Sequence, residues 1–332
     1  MKKILLSLIF VFLVFNSVYA EKLFSVTDDA IYYSNNLGQG WNAIYVESIG
    51  SAHYTDMCFS RRSKTMYLST TEGILKSSDG GTNWSKIHFG RGSVFRTVKS
   101  SLDGADVIYA LSSTGLYVTV NGGQNWKSLS LPSSQIFFIA PFYNSGIIYA
   151  AGNNGVYLSN NGGKDWKRIG GKKILSSNIT DISANPFNPS QLYLATDKGL
   201  FYTPDKGVTW KDRTISRDDY ILTQKIFWVT DNVLYVIDSD VKEYGRSYLR
   251  LTVDGGKRWT TLACQDEITL FAVDPSNSYF ICYFGNEPVM YGTEENVKAS
   301  FVHTSTNRGK DWKKIQNIVT FYGTKYLYVR PW

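Results

Sequence analysis

The chain has 332 residues, 43% of them hydrophobic and 15% aromatic, with 23 Tyr, 18 Phe and 9 Trp; such a content fills a packed core and excludes a disordered chain. Three cysteines cannot make a disulfide scaffold, and no Cys/His set has the spacing of a structural zinc site. The formal charge of +7 is spread along the chain without a long basic run, which argues against a nucleic-acid binder.

In chain order, the first element is an export signal. Lys2 and Lys3 precede an apolar stretch from Ile4 to Phe15, and Val18-Tyr19-Ala20 reads as a small-residue cleavage site. The stretch is short for a membrane span, and no cysteine at the cleavage point suggests a lipid anchor. Cleavage is expected after Ala20, giving a periplasmic or secreted chain of residues 21–332. Loss of the two lysines leaves a charge of +5. Cys264 and Cys282 are compatible with a disulfide or with two buried thiols.

From residue 34 onward one phrase organises the sequence. SNNLGQGW, SSDGGTNW, TVNGGQNW, SNNGGKDW, TPDKGVTW, TVDGGKRW and STNRGKDW end at Trp41, Trp84, Trp126, Trp166, Trp210, Trp259 and Trp312. The spacings are 43, 42, 40, 44, 49 and 53 residues. Position one is Ser or Thr, position five Gly and position eight Trp. Position three is Asn36, Asp79, Asn121, Asn161, Asp205, Asp254 or Asn307. An Asp or Asn side chain accepts hydrogen bonds from following amides, and Gly permits a positive φ, so the phrase is a hairpin turn. The Trp is expected to give each hairpin its own small core.

Around each phrase lie four alternating segments, such as Phe95-Arg96-Thr97-Val98, Val107-Ile108-Tyr109-Ala110, Gly115-Leu116-Tyr117-Val118 and Trp126-Lys127-Ser128-Leu129. Four strands in 40 to 45 residues make one propeller blade. The expected fold is all-β: a seven-bladed β-propeller with four-stranded antiparallel blades, all in one domain. Ser216 to Phe227 is the one stretch read as able to hold a short helical turn. The first blade lacks its inner strand. Gln316 to Tyr322 is expected to supply it and close the ring, leaving Tyr326 to Val329 without a place.

The turn phrases resemble Asp-boxes, the bacterial neuraminidase repeat, across essentially all of the chain after residue 20. Propellers with this repeat include sialidases, β-glucan and xyloglucan hydrolases, sortilin-like receptors and exported photosystem II assembly factors. A leader followed by seven tandem boxes is most similar to the last group. That resemblance implies a non-enzymatic monomer that binds a protein partner, such as a membrane-protein complex or its precursor, and needs no cofactor or metal. It also implies that the box residues are structural.

The enzymatic alternative is a hydrolase acting on β-glucan, xyloglucan or, less closely, sialosides. A sialidase would need an arginine triad and a Phe-Arg-Ile-Pro phrase, and the nearest string, at Phe95, lacks the proline. A glucan hydrolase needs two carboxylates across a cleft. The candidates are Asp218 with Asp219, Asp238 with Asp240, and Glu294 with Glu295.

Partner binding is expected on the face opposite the turn phrases, where the loops joining second to third strands and blade to blade lie. The longest spacings come from Asp238 to Arg250, carrying Lys242, Tyr244, Arg246 and Tyr248, and from Gly285 to Ala299, carrying Tyr291. Both are read as long recognition loops. Arg91, Lys172, Lys173, Arg213 and Arg217 add charge from inter-blade loops, and Arg96 is expected to face the channel.

Overall fold

A computed structural model describes residues 23–26, 31–36, 38–44, 53–60, 62–87, 94–215, 221–240, 246–265, 267–274, 279–291, 294–316 and 326–329. Blade 1 holds β1 (Leu23–Val26), β2 (Ile31–Ser34) and β3 (Asn42–Ile44). Blade 2 is β4 (Tyr54–Ser60), β5 (Thr65–Thr70), β6 (Gly73–Ser77) and β7 (Ser85–Ile87). Blade 3 is β8 (Phe95–Ser100), β9 (Ile108–Ser112), β10 (Leu116–Thr119) and β11 (Lys127–Leu129). Blade 4 is β12 (Ile136–Phe142), β13 (Ile147–Gly152), β14 (Gly155–Ser159) and β15 (Lys167–Ile169), followed by the four-residue helix α1 (Lys172–Leu175). Blade 5 is β16 (Ile179–Ala184), β17 (Leu192–Thr196), β18 (Gly199–Thr203) and β19 (Lys211–Asp212). Blade 6 is β20 (Ile221–Thr230), β21 (Val233–Asp240), β22 (Ser247–Thr252) and β23 (Thr260–Gln265). Blade 7 is β24 (Glu267–Val273), β25 (Ile281–Tyr291), β26 (Glu294–Ser305) and β27 (Lys313–Gln316), and β28 (Tyr326–Val329) ends the series.

These strands make seven four-stranded antiparallel sheets, a seven-bladed β-propeller. Ring closure differs from the sequence expectation. β28 pairs with β1, Leu23 facing Val329 and Val26 facing Tyr326, so the unplaced segment is the inner strand of blade 1. Gln316 belongs instead to β27, the outer strand of blade 7, and the rest of the expected closing strand lies outside the described residues. The stretch considered for a helical turn is strand from Ile221 onward; residues 216–220 lie outside the description. Here the β-branched and aromatic residues of Ile221–Phe227 take the extended state that suits them.

All seven turn phrases close identically. The position-one hydroxyl accepts from the position-five Gly amide at 2.8–2.9 Å. It donates to the position-three Asp or Asn oxygen at 2.8–3.0 Å. That oxygen accepts from the position-seven amide at 2.8–3.0 Å. Positions one, three and five therefore each have a bond to make, and burial of the hydroxyl makes its loss costly. Such bonds, that from the Asn83 amide foremost, hold the Asp79 carboxyl at about 2.

The tryptophans do not form private hairpin cores. The buried side chains fall into seven clusters, each spanning two neighbouring blades, and each repeat Trp packs on the cluster between its own blade and the preceding one. Trp84 lies on the blade 1/2 cluster, Trp210 on the 4/5 cluster and Trp312 on the 6/7 cluster. The core of the molecule is thus its seams. A hairpin of eight residues is too small to bury an indole alone, so the ring finds its apolar contact next door.

The position-five Gly belongs to the same seam. In six of the seven seams it meets an aliphatic side chain three residues after the preceding repeat Trp: Ile44, Ile87, Leu129, Ile169, Leu262 or Ile315. A Cβ on Gly123 would sit 2.5 Å from Ile87 Cδ1, and one on Gly207 2.6 Å from Ile169 Cδ1, at φ of +89° and +82°. Conformation and close approach both demand glycine there. The second strands add a tyrosine at one register: Tyr67, Tyr109, Tyr149, Tyr193, Tyr235 and Tyr283, all nearly or fully buried. Tyr193 Oη donates to the Gly255 carbonyl of the next blade at 2.9 Å, and Tyr149 Oη to the Pro189 carbonyl at 2.7 Å.

The three cysteines are free. Cys58 and Cys282 are buried, and Cys264 is exposed on the outer strand β23.

Candidate functional site

Antiparallel strands running outward from the axis place the turn phrases, with the first-to-second strand loops, on one face. The other face carries the second-to-third strand loops and the inter-blade loops. The inner strands start at this second face, and there six of them break register at the same place: after Tyr54, Phe95, Ile136, Ile179, Thr223 and Ile268. Each break inserts one extra residue: Thr55, Arg96, Phe137, Thr180, Gln224 or Thr269. A bulge leaves this residue out of the ladder, here near the start of the inner strand.

Two of these residues are exposed and meet across the blade 3/4 seam. The Arg96 guanidinium lies 5.4 Å from the Phe137 ring centroid and donates to the Ile136 carbonyl at 3.4 Å. Phe137 is 38% exposed and Val94, just before β8, 44%. Further cations on this side also lie over rings: Lys225 over Phe138, Lys173 of α1 over Phe201 and Arg250 over Tyr248, at 6.0, 5.0 and 4.9 Å.

Two carboxylates tie inner strands together. Asp56 on β4 takes the Lys99 ammonium at 2.8 Å, the Thr97 hydroxyl and the Val98 amide, all from β8. Asp181 holds the matching place on β16 and accepts from the Ile226 amide of β20 at 2.9 Å. Burial pushes the Asp181 carboxyl up, opposed by the Lys225 charge. Each acid thus joins its inner strand to that of the next blade and satisfies a backbone amide there. At the turn-phrase face the channel widens to about 520 Å³, lined by Phe59, Leu102, Pro186, Phe187 and Trp228.

The sequence-derived candidates separate into groups. Arg96 is the exposed extra residue of the bulge in the inner strand β8. Lys172 and Lys173 share the exposed helix α1, where Lys173 pairs with Asp212 at 3.2 Å. Arg246 is exposed beside the second-to-third strand loop of blade 6. Arg91, Arg217, Lys242 and Tyr244 lie outside the described residues. Arg213 lines a cleft between blades 5 and 6.

The two long recognition loops are mostly strand. β21 runs to Asp240 and β22 begins at Ser247, so Tyr248 is a ladder residue facing Asp238. β25 and β26 extend as a hairpin to Tyr291 and Glu294, which pair with each other. The ladder continues in blade 7 through Asn286, Glu287 and Pro288, residues of low strand propensity, because each is paired across to the facing strand. Asp238, one of the paired carboxylates, is wholly buried. It accepts from Arg250 at 2.7 Å and Thr223 at 2.8 Å, which leaves it no solvent-facing oxygen for a substrate. Asp218 and Asp219 lie outside the described residues, and Glu294 and Glu295 are in β26. No group of three or more His, Cys, Asp or Glu able to hold a metal occurs among the described residues.

Sequence reasoning missed the seam residues: the aliphatic residue three after each Trp, and the second-strand tyrosine. Both recur at fixed offset from the phrase, and a column-by-column stacking of the seven repeats finds them.

The fold and these seams define the class: a seven-bladed β-propeller built from repeated turn-containing blades. No protein-family profile matches the chain. A xyloglucanase from Hypocrea jecorina is 31% identical over 141 residues, which is 42% of this chain and 17% of that protein. Among solved structures, the GH74 enzyme of Niastella koreensis superposes with a TM-score of 0.62 at 17% identity, over 79% of this chain and 45% of the enzyme. YCF48 bound to D1 peptide superposes with a TM-score of 0.59 at 15% identity, over 91% of each chain. At these identities the structures share the fold.

Proposed function

We propose that the chain is an exported Asp-box propeller, a monomeric scaffold that binds a protein partner through the face opposite its turn phrases. The observation that carries this reading is the pair of cations held over aromatic rings on the inner strands at the channel mouth, Arg96 over Phe137 and Lys225 over Phe138. Such pairs hold arginine and lysine heads in place before a partner arrives, and Arg and aromatic residues dominate binding hot spots. Acidic segments of a protein are the complementary chemistry. The YCF48 structure supports the reading, since a propeller matched over nearly its whole length there carries a peptide. Arg246 and Tyr291 belong to the proposed surface through blades 6 and 7, with Lys242 and Tyr244 just before Arg246 in sequence.

The test is affinity capture from native envelope extract with mass-spectrometric identification. The double variant Arg96→Ala, Phe137→Ala should lose the captured protein while keeping its melting temperature. Equal capture by the variant would remove the channel mouth from the site. The second reading, a glucan hydrolase, is favoured by the xyloglucanase similarity. It requires turnover of xyloglucan oligosaccharides, and the scaffold reading expects none.

A further inference from the structure

Six seams are sealed by an aliphatic side chain three residues after the repeat Trp, pressed onto the position-five Gly of the next blade. The seventh departs. After Trp210 that position is Arg213, and Gly256 of the next blade meets the Tyr193 hydroxyl and Trp259 in place of an aliphatic group. Where the other seams are filled, this one holds a cleft of about 500 Å³. The wall is an aromatic cluster in which Tyr193 lies 4.9 Å from Tyr202 and 5.2 Å from Trp228.

The cleft carries an excess of positive charge. Lys211, Arg213 and Lys257 line it, and none of the three has a carboxylate partner among the described residues. Arg213 Nε is buried without a hydrogen-bond acceptor. The two acids at the rim are already committed. Asp254 is bound within its turn phrase by Thr252 and the Lys257 and Arg258 amides, and Asp231 accepts from Asn185 at 3.1 Å. The guanidinium is close enough to Tyr193 and Tyr202 for its charge to oppose the upward push of burial on both phenols. The guanidinium also hydrogen-bonds the Tyr193 hydroxyl, but its buried Nε donor is left over, which is costly unless something fills the place.

We propose that this cleft is a binding site for a small organic carboxylate. Three cations against two acids leave one net positive charge, which suits a monoanion and disfavours a dianion. The planar fork of Arg213 fits a carboxylate by two parallel hydrogen bonds. The volume exceeds that of a bare anion, and half-buried Tyr202 and Trp228 give apolar contact to the body of the ligand.

The test is calorimetric titration of the full chain with glucuronate and benzoate, beside glucose and inorganic phosphate. Saturable binding of at least one carboxylate is expected, no binding of glucose, and at least about tenfold weaker binding of phosphate. Arg213→Ile restores the residue type of the other seams. It should weaken the carboxylate at least about tenfold while the melting temperature holds or rises. Arg213→Gln serves as the second variant if the isoleucine disturbs folding. Undiminished carboxylate affinity in a folded variant, phosphate binding as tight as carboxylate, or no saturable carboxylate binding would each overturn the proposal.

Discussion

Two neighbouring seams of the ring were built from the same repeat and diverged at one position. Between blades 4 and 5, Ile169 presses on Gly207 and the space is closed. Between blades 5 and 6, Arg213 stands in the same place and a cleft opens. The backbone of the turn phrase is unchanged on both sides, its hydroxyl and Asx bonds within 0.1 Å of one another. A repeat fold can therefore vary one seam without disturbing the turn that defines it. Geometry is held by the phrase, and occupancy of the seam by a side chain outside it.

The largest effect that separates the two seams is cavity formation. Ile169→Ala should cost about 3 kcal/mol in denaturant unfolding, because a buried aliphatic group is removed from a closed space. Arg213→Ala should change stability by less than about 1 kcal/mol, since its seam is already open. Equal costs would show that the cleft carries as much packing as the sealed seam.

An intermediate effect is expected at high pH. Burial raises the seam tyrosines above their ordinary value, Tyr235 to about 12. A folded-state value above the unfolded one means stability is fully present below pH ~10 and declines as pH rises further. The slope is about 1.4 kcal/mol per pH unit for each such tyrosine. Tyr193 also feels the Arg213 charge, which opposes its upward shift. Arg213→Ile should therefore move its titration to higher pH, read from tyrosinate absorbance, and leave Tyr149 of the sealed seam unmoved.

Much of this architecture is legible in the sequence. Four restricted positions recurring seven times announce blade number, hairpin and strand order, because the hydroxyl and the Asp or Asn make specific bonds, the Gly takes a left-handed turn and the Trp packs the seam. The closing strand was not legible. Residues 316–322 and 326–329 both alternate like strands, and only the geometry of the ring selects which meets β1. Loop lengths in blades 6 and 7 misled for a related reason: spacing counts residues without saying whether they continue a ladder. The Arg213 departure stands in plain view at a fixed offset from Trp210, but its meaning depends on Ile169 and its counterparts touching glycines one blade away.

The smallest expected effect lies in the turn phrase itself. In the six phrases where it is described, position four is left-handed; four place Gly there, whereas blade 5 has Lys206 at φ 60°. Lys206→Gly should raise stability by about 0.5–1 kcal/mol in thermal unfolding. No gain would mean that the Lys206 backbone is held by its bond to the Ser190 carbonyl at little cost.

The pairing of residues 23–26 with 326–329 makes blade 1 a clasp. Its inner strand is made some three hundred residues after its neighbour, so during synthesis six blades can assemble while the ring stands open. Bringing such distant segments together is entropically slow, but each doubling of the loop adds only about 0.6 kcal/mol. Until the clasp shuts, β1 offers an unpaired edge to any matching strand. A second copy carries that same strand, so folding at high concentration should yield exchanged dimers joined through blade 1.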